Sequence, residues 1–338
     1  AHRPGAEAGA GLVKIAIYGA GAIGGLLGAY LARAGADVTL IARGPHLAAM
    51  QGKGLKVSGP QGEFTVTPRA TDDPATIGVQ DYVIVALKAQ AVAGIVDQMK
   101  PLLGPKTAVV MAVNGVPWWY FHGAGGALEG RRLASVDPDG RQWDVIGPQR
   151  ALGCVVYPAA EINAPGELHH IEGDRFSLGE PDGSKSARVV ALSKALIAAG
   201  LKAPVKSDIR AEIWVKLWGN VAFNPISALT GGTLQQICAD AGTRACAKAI
   251  MLETQAIAAA LGVVMPIDVE RRIDGAAGIG AHKTSMLQDF ERGRPIELDA
   301  IVGAVAELGR IVGVPCPMID AIFALTRQKA SLAGLYPH

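Results

Sequence analysis

The sequence predicts two domains in series, an α/β domain with an open, mainly parallel sheet and then an all-α domain. Three observations carry this. A short β-branched run, Val13 to Tyr18, leads straight into GAGAIG and a helical stretch. Apolar strands then alternate with helical segments as far as about residue 206, the pattern of a parallel sheet covered by helices on both faces. Beyond Val205 nearly every segment has helical periodicity. A chain of 338 residues fits two domains. Half of its residues are hydrophobic and 18% are charged, enough for a sizeable core and unlike a disordered chain.

Residues 1–12 (AHRPGAEAGAGL) lack periodicity and an apolar core, and are expected to be a disordered extension. Val13–Tyr18 is a buried strand, Ala22–Ala34 a helix ended by Gly35, and Asp37–Ala42 a second strand. Together they make a β–turn–α–β unit of about 30 residues. Leu55–Ser58 and Glu63–Thr67 read as a hairpin around Gly59–Gly62. Strand Tyr82–Leu87, helix Ala91–Leu103 and strand Thr107–Val113 extend the alternation. Trp118–Gln149, rich in Gly, Asp, Arg and Trp, has little regular structure. Leu152–Tyr157 and Phe176–Leu178 are further strands, and Ala187–Ala199 a helix. From Asp208 to Leu332 the pattern is helical, with breaks at Asn224-Pro225, Gly231-Gly232, Pro266, Pro295 and Pro315. The expected division is therefore 13–206 and 207–338.

The net charge of +2 is too small to indicate a nucleic-acid or membrane partner. No apolar run reaches the roughly 18 residues of a membrane span. Cys154, Cys238, Cys246 and Cys316 form no CxxC pair or zinc-spaced cluster, which suits reduced thiols in a cytoplasmic protein. His169 and His170 are adjacent, so they cannot share a helix face, and no metal site is expected.

The chemistry begins at Gly19, Gly21 and Gly24, with Ala20, Ala22 and Ile23 between them. This G-x-G-x-x-G follows a strand and opens a helix, the dinucleotide-binding fingerprint of a Rossmann domain. Its first glycine permits the turn, its second lets a pyrophosphate approach, and its third lets helix and strand pack closely. At the end of the second strand, where an NAD site usually has an acid, stands Arg43. A guanidinium there suits the 2′-phosphate of NADP. Lys88 and Asn114 follow later strands at the carboxyl edge, where ligands sit in such sheets. In the helical half, Lys216, Asn220 and Asn224 lie at i, i+4 and i+8, on one face of an apolar helix. Periodicity leaves open whether they form an active site or a polar seam between domains. Pro225 should kink or end that helix. Ser285 and Glu297, taken singly, read as a helix-surface hydroxyl and a helix-N-terminal carboxylate.

Taken together, GAGAIG, LIAR, VALKAQ, Asn114-Gly115, KLWGNVAFNPISALT and KTSMLQDFERGRPIELDAI resemble the ketopantoate reductases, in that family's order and from about residue 13 to 325. The resemblance implies a Rossmann domain followed by an all-helical domain, in a 6-phosphogluconate-dehydrogenase-like arrangement, with the active site in the cleft between them. It implies NADPH-dependent reduction of 2-dehydropantoate to (R)-pantoate, on the route to pantothenate and coenzyme A. By the same resemblance Lys216 is the general acid and Glu297 its acidic partner. Asn220, Asn224 and Ser285 hold the substrate, and Asn114 bridges nicotinamide and substrate. Arg43 and Lys88 grip the 2′-phosphate, beside the loop Gly19–Gly24.

Two departures stand out. Trp118, Trp119 and Tyr120 are expected near the cleft, where they would reshape it for a bulkier or different keto acid, and Ala281, His282 and Lys283 stand where asparagine is frequent. The rivals are a reductase of another 2-keto acid and a non-catalytic NADP-sensing protein. A 6-phosphogluconate-type dehydrogenase would need a longer helical domain and cations for a substrate phosphate. The expected partner is a small-molecule 2-keto acid, and the apolar helical half leaves a homodimer open.

Overall fold

The computed structural model describes residues 13–336; the extension expected over 1–12 lies outside them. In the first half, β1 (Lys14–Tyr18), α1 (Ala22–Arg33) and β2 (Asp37–Ile41) form the opening unit. α2 (Gly44–Lys53), β3 (Leu55–Gly59), β4 (Gly62–Val66), β5 (Arg69–Thr71) and β6 (Gln80–Val85) follow. Next come α3 (Ala89–Val92), α4 (Val96–Met99), β7 (Leu103–Met111), β8 (Ala151–Val156), β9 (Ala159–Ala164), β10 (Glu167–Glu172), β11 (Phe176–Gly179) and α5 (Ala187–Ala198). The main sheet has seven strands in the order β11-β8-β7-β6-β1-β2-β5. All its pairings are parallel except that of β11 with β8.

The expected hairpin forms, but in a second, four-stranded sheet ordered β4-β3-β10-β9. β9 and β10 are hard to see in the sequence because polar residues interrupt their alternation. Leu168 and His170 turn inward and are buried, and His170 is held by the Tyr30 hydroxyl at 3.0 Å. The expected helix 91–103 is instead broken into α3 and α4 by 3-10 turns over Ala93–Ile95 and Lys100–Leu102. Gly94 is a poor helix former, and Pro101 lacks the N–H to continue a helix.

Among the described residues, every regular element from Ile209 onward is helical. These are α6 (Ile209–Thr230), α7 (Leu234–Ala239), α8 (Ala241–Ala260), α9 (Val269–Gly278), α10 (Ser285–Glu291), a π-helical turn at Asp299–Gly303, α11 (Ala304–Val312) and α12 (Pro317–Leu332). None of the described helices is long and apolar enough to cross a membrane. Asp208 caps α6, accepting from the Ala211 N–H at 2.9 Å, and Gly231 ends it in the left-handed region at φ 73°. The break expected at Asn224-Pro225 does not occur, and α6 runs through it. An interior proline costs about 3 kcal/mol. Trp214, Leu217, Trp218, Val221, Phe223 and Ile226 are all buried on this helix, at roughly 1.5–3 kcal/mol each. Burial outweighs the proline.

Two apolar cores fill the faces of the main sheet and a third fills the helical half. The segment Trp118–Phe121 joins two of them. Trp118 and Trp119 pack in the core on one sheet face, while Tyr120 and Phe121 belong to the helical core.

Candidate active site

At the carboxyl end of β1 the three glycines do different steric work. Gly19 adopts φ 98°, and a Cβ there would lie 2.6 Å from Leu87. A Cβ on Gly24 would overlap the Gly19 carbonyl oxygen, so only glycine lets α1 start so close to the strand. A Cβ on Gly21 would meet nothing within 4 Å. That open space lies before the N-terminus of α1, which has no side-chain cap and no acidic residue in its first turn. Free N–H groups beside it make an anion cradle that a dinucleotide's pyrophosphate fits. Arg43, exposed at the end of β2, lies close enough for its charge to oppose the rise that burial imposes on the Tyr18 hydroxyl's pKa. No hydrogen bond or ion pair engages its guanidinium among the described residues.

Some distance along the sheet edge, α6 packs on β8 and β11 and brings Lys216 over the end of β8. The Lys216 ammonium donates to the Asn114 Oδ1 at 2.8 Å and to the Val156 carbonyl. Asn114 lies three residues past Met111, the last residue of β7. A tight backbone junction holds it there. Gly115, at φ 92°, comes so close to Ala300 that a Cβ would overlap the Ala300 carbonyl oxygen. The Val116 N–H donates to the same carbonyl at 2.8 Å, which fastens this loop to the π-helical turn of the helical half.

That junction sets Asn114 against Glu297. The Asn114 amide donates to Glu297 Oε2 at 3.3 Å, which turns its Oδ1 toward Lys216. Glu297 Oε1 accepts from the Ala89 N–H at 3.0 Å, and Lys88 donates to Oε2 at 3.4 Å. Lys88 also donates to Asp289 at 2.5 Å. Lys216, Asn114, Glu297, Lys88 and Asp289 thus form one polar chain across the cleft, with two cations and two anions. Burial pushes the Lys216 ammonium down to about 8, partly opposed by the Glu297 carboxylate. Lys88 ends above the ordinary lysine value, because Glu297 and Asp289 together outweigh the lowering that burial imposes. The crevice beside this chain is lined by Asn114, Gly115, Cys154, Val156, Lys216 and Asn220, among others.

The expected site residues divide into three groups. Lys216, Asn220 and Asn114 line the crevice, and Glu297 is one hydrogen bond behind it. Asn224 and Ser285 do not line it. Asn224 is buried, and its amide nitrogen has no partner among the described residues. Ser285 is exposed at the start of α10, next to Thr284, whose hydroxyl meets that of Ser227 on α6. Lys88, expected beside Arg43, instead gives its ammonium to Asp289 and Glu297, since two carboxylates converge on it. The expectation for the aromatic segment needs correcting too. Trp118, Trp119 and Tyr120 are buried at 1–2% exposure and none lines the crevice. Tyr120 instead accepts from the Trp214 indole at 2.7 Å. Asp289 is the residue that sequence reasoning misses, although it stands in SMLQD at i+4 from Ser285. Among the described residues no group of three or more His, Cys, Asp or Glu side chains is placed to hold a metal.

Comparison with known proteins agrees with this architecture. Residues 15–183 match the family model described as ketopantoate reductase PanE/ApbA, and residues 208–330 match its C-terminal counterpart. A 2-dehydropantoate 2-reductase of Mesorhizobium japonicum is 59% identical over 326 residues, covering 96% of this chain and all of that one. A Ralstonia solanacearum structure, provisionally named a ketopantoate reductase, is 44% identical with a TM-score of 0.92, covering 96% of this chain and 100% of its own. The 2-dehydropantoate 2-reductase of Geobacter metallireducens superposes with a TM-score of 0.82 at 29% identity, over 94% of this chain and 100% of its own. The chain belongs to the ketopantoate reductase family.

Proposed function

We propose that this protein reduces 2-dehydropantoate to (R)-pantoate with NADPH, and that Lys216 supplies the proton. The observation that carries the reading is the seating of Lys216. An ammonium has three N–H donors, and Asn114 and Val156 take two of them. The third is left for a carbonyl oxygen in the crevice. A nicotinamide whose pyrophosphate was held by the Gly19–Gly24 loop would supply a hydride to the keto carbon. As the C–H bond forms, the C=O π pair moves to oxygen, which takes the proton from Lys216 and leaves a neutral amine. Burial favours that amine, so the lysine gives up its proton more readily than one in water. Glu297 keeps the Asn114 amide turned so that its oxygen, not its nitrogen, faces the lysine.

Gly19, Ala20, Gly21, Ala22, Ile23 and Gly24 would hold the pyrophosphate, and Arg43 the 2′-phosphate. Lys88 can join Arg43 there only by leaving its carboxylates. Asn220 would meet the substrate directly, with Asn224 and Ser285 further along the same side. The buried Trp118 and Trp119 do not line the crevice, so neither offers a direct contact that would select a different keto acid. The four free thiols suit work in the cytoplasm.

The test is NADPH oxidation with 2-dehydropantoate, for wild type and Lys216→Ala. Loss of a general acid is expected to cost about 100- to 10,000-fold in kcat. No turnover by the wild type would refute the named substrate, and full activity in Lys216→Ala would refute the role of the lysine. In the same assay the wild type is expected to prefer NADPH over NADH. Arg43→Ala should weaken that preference by about 10- to 100-fold through KM for NADPH, as expected for one charge-assisted contact.

A further inference from the structure

We propose that Asp289 is a positioning residue, which draws Lys88 aside so that Glu297 can orient Asn114 and sustain the charge on Lys216. The inference rests on the reading of Lys216 as proton donor given above. Two donors, the Asn114 amide and the Lys88 ammonium, share the single oxygen Glu297 Oε2, at 3.3 and 3.4 Å. A free ammonium would win that competition, because charge-assisted hydrogen bonds are the stronger kind. Asp289 prevents this by holding Lys88 at 2.5 Å. It is itself buried at 6% exposure, where a carboxylate needs a paired cation. The contact also spans the two halves of the molecule, from the end of β6 to α10.

Without the Asp289 charge, Lys88 would turn wholly to Glu297. Asn114 would lose its anchor, and the Glu297 field at Lys216 would be cancelled. The other groups facing Lys216 leave that field decisive. Cys154 on β8 is a neutral thiol, pushed up to about 12 by burial. The Tyr157 ring lies 5.9 Å from the ammonium, and its hydroxyl is likewise pushed up to about 12. Glu212, one turn earlier on α6, is committed to Tyr157, Ser177 and Lys206.

The experiment is the pH profile of single-turnover NADPH oxidation for wild type, Asp289→Asn, Asp289→Glu and Lys88→Gln. Asp289→Asn should move the alkaline limb about half to one pH unit toward acid, and Asp289→Glu should restore it. Lys88→Gln should move the limb the opposite way, because an uncompensated Glu297 favours the ammonium. A limb unmoved in Asp289→Asn, with only a lower Tm, would overturn the inference and leave the proton-donor reading intact. If Asp289→Asn does not fold, Lys88→Gln decides, and a limb unmoved or moved toward acid overturns it. A wild type with no alkaline limb would instead overturn the proton-donor reading, and this inference with it.

Discussion

The glycine loop and the cleft chain are built on opposite plans. The loop takes its shape from six consecutive residues, Gly19 to Gly24, with steric limits at Gly19 and Gly24 and the Gly19 and Ala20 N–H groups donating to the Ile41 carbonyl. The cleft chain takes Lys88, Asn114, Lys216, Asp289 and Glu297 from segments far apart in sequence, with Asn114 and Glu297 separated by 183 positions. Its contacts are hydrogen bonds between charged or polar groups. The loop is therefore fixed within the first half, by its own backbone and the neighbouring ends of β2 and β6, whereas the cleft chain exists only when both halves are folded and docked. Damage to the loop should appear as lost stability or lost cofactor binding, and damage to the chain as lost turnover.

Asn114→Leu sharpens the contrast most. It removes an acceptor from Lys216 and a donor to Glu297, yet keeps the side chain's bulk. A misplaced catalytic group can cost about 100-fold, and kcat is expected to fall by about that much with little change in the NADPH dissociation constant. A loss confined to cofactor affinity would break the contrast. Next in size is Gly24→Ala, whose Cβ cannot fit against the Gly19 carbonyl. Overpacking of this kind costs about 1–3 kcal/mol, readable as a lower Tm. Gly21→Ala should leave Tm nearly unchanged, since its Cβ meets open space, and should weaken dinucleotide binding instead. Equal destabilisation by both substitutions would show that the loop glycines do not divide their work as described.

The same contrast explains what can be read from the residues alone. GAGAIG announces itself because a strand, a turn and a helix lie next to one another in the chain. Lys216, Asn220 and Asn224 show a shared helix face through spacing, but spacing cannot say what that face meets. Asp289 carries no local signal of its pairing with Lys88, which forms across 201 positions. Trp118 and Trp119 mislead for a related reason. Composition places them in a loop and the family resemblance sets that loop near the cleft, but apolar burial draws them into the core on one face of the sheet. At Pro225 the local rule predicts a break, and packing on both sides of α6 overrides it.

The most direct test of the central claim is the pH dependence of hydride transfer by the wild type, measured in both directions under single-turnover conditions. Lys216, with its pKa pushed down to about 8, must be an ammonium to reduce the keto acid and an amine to oxidise the hydroxy acid. Reduction should therefore hold below that pH and fall above it, while oxidation should rise through the same range. Flat profiles, or limbs that persist in Lys216→Ala, would contradict the assignment of Lys216 as the proton donor.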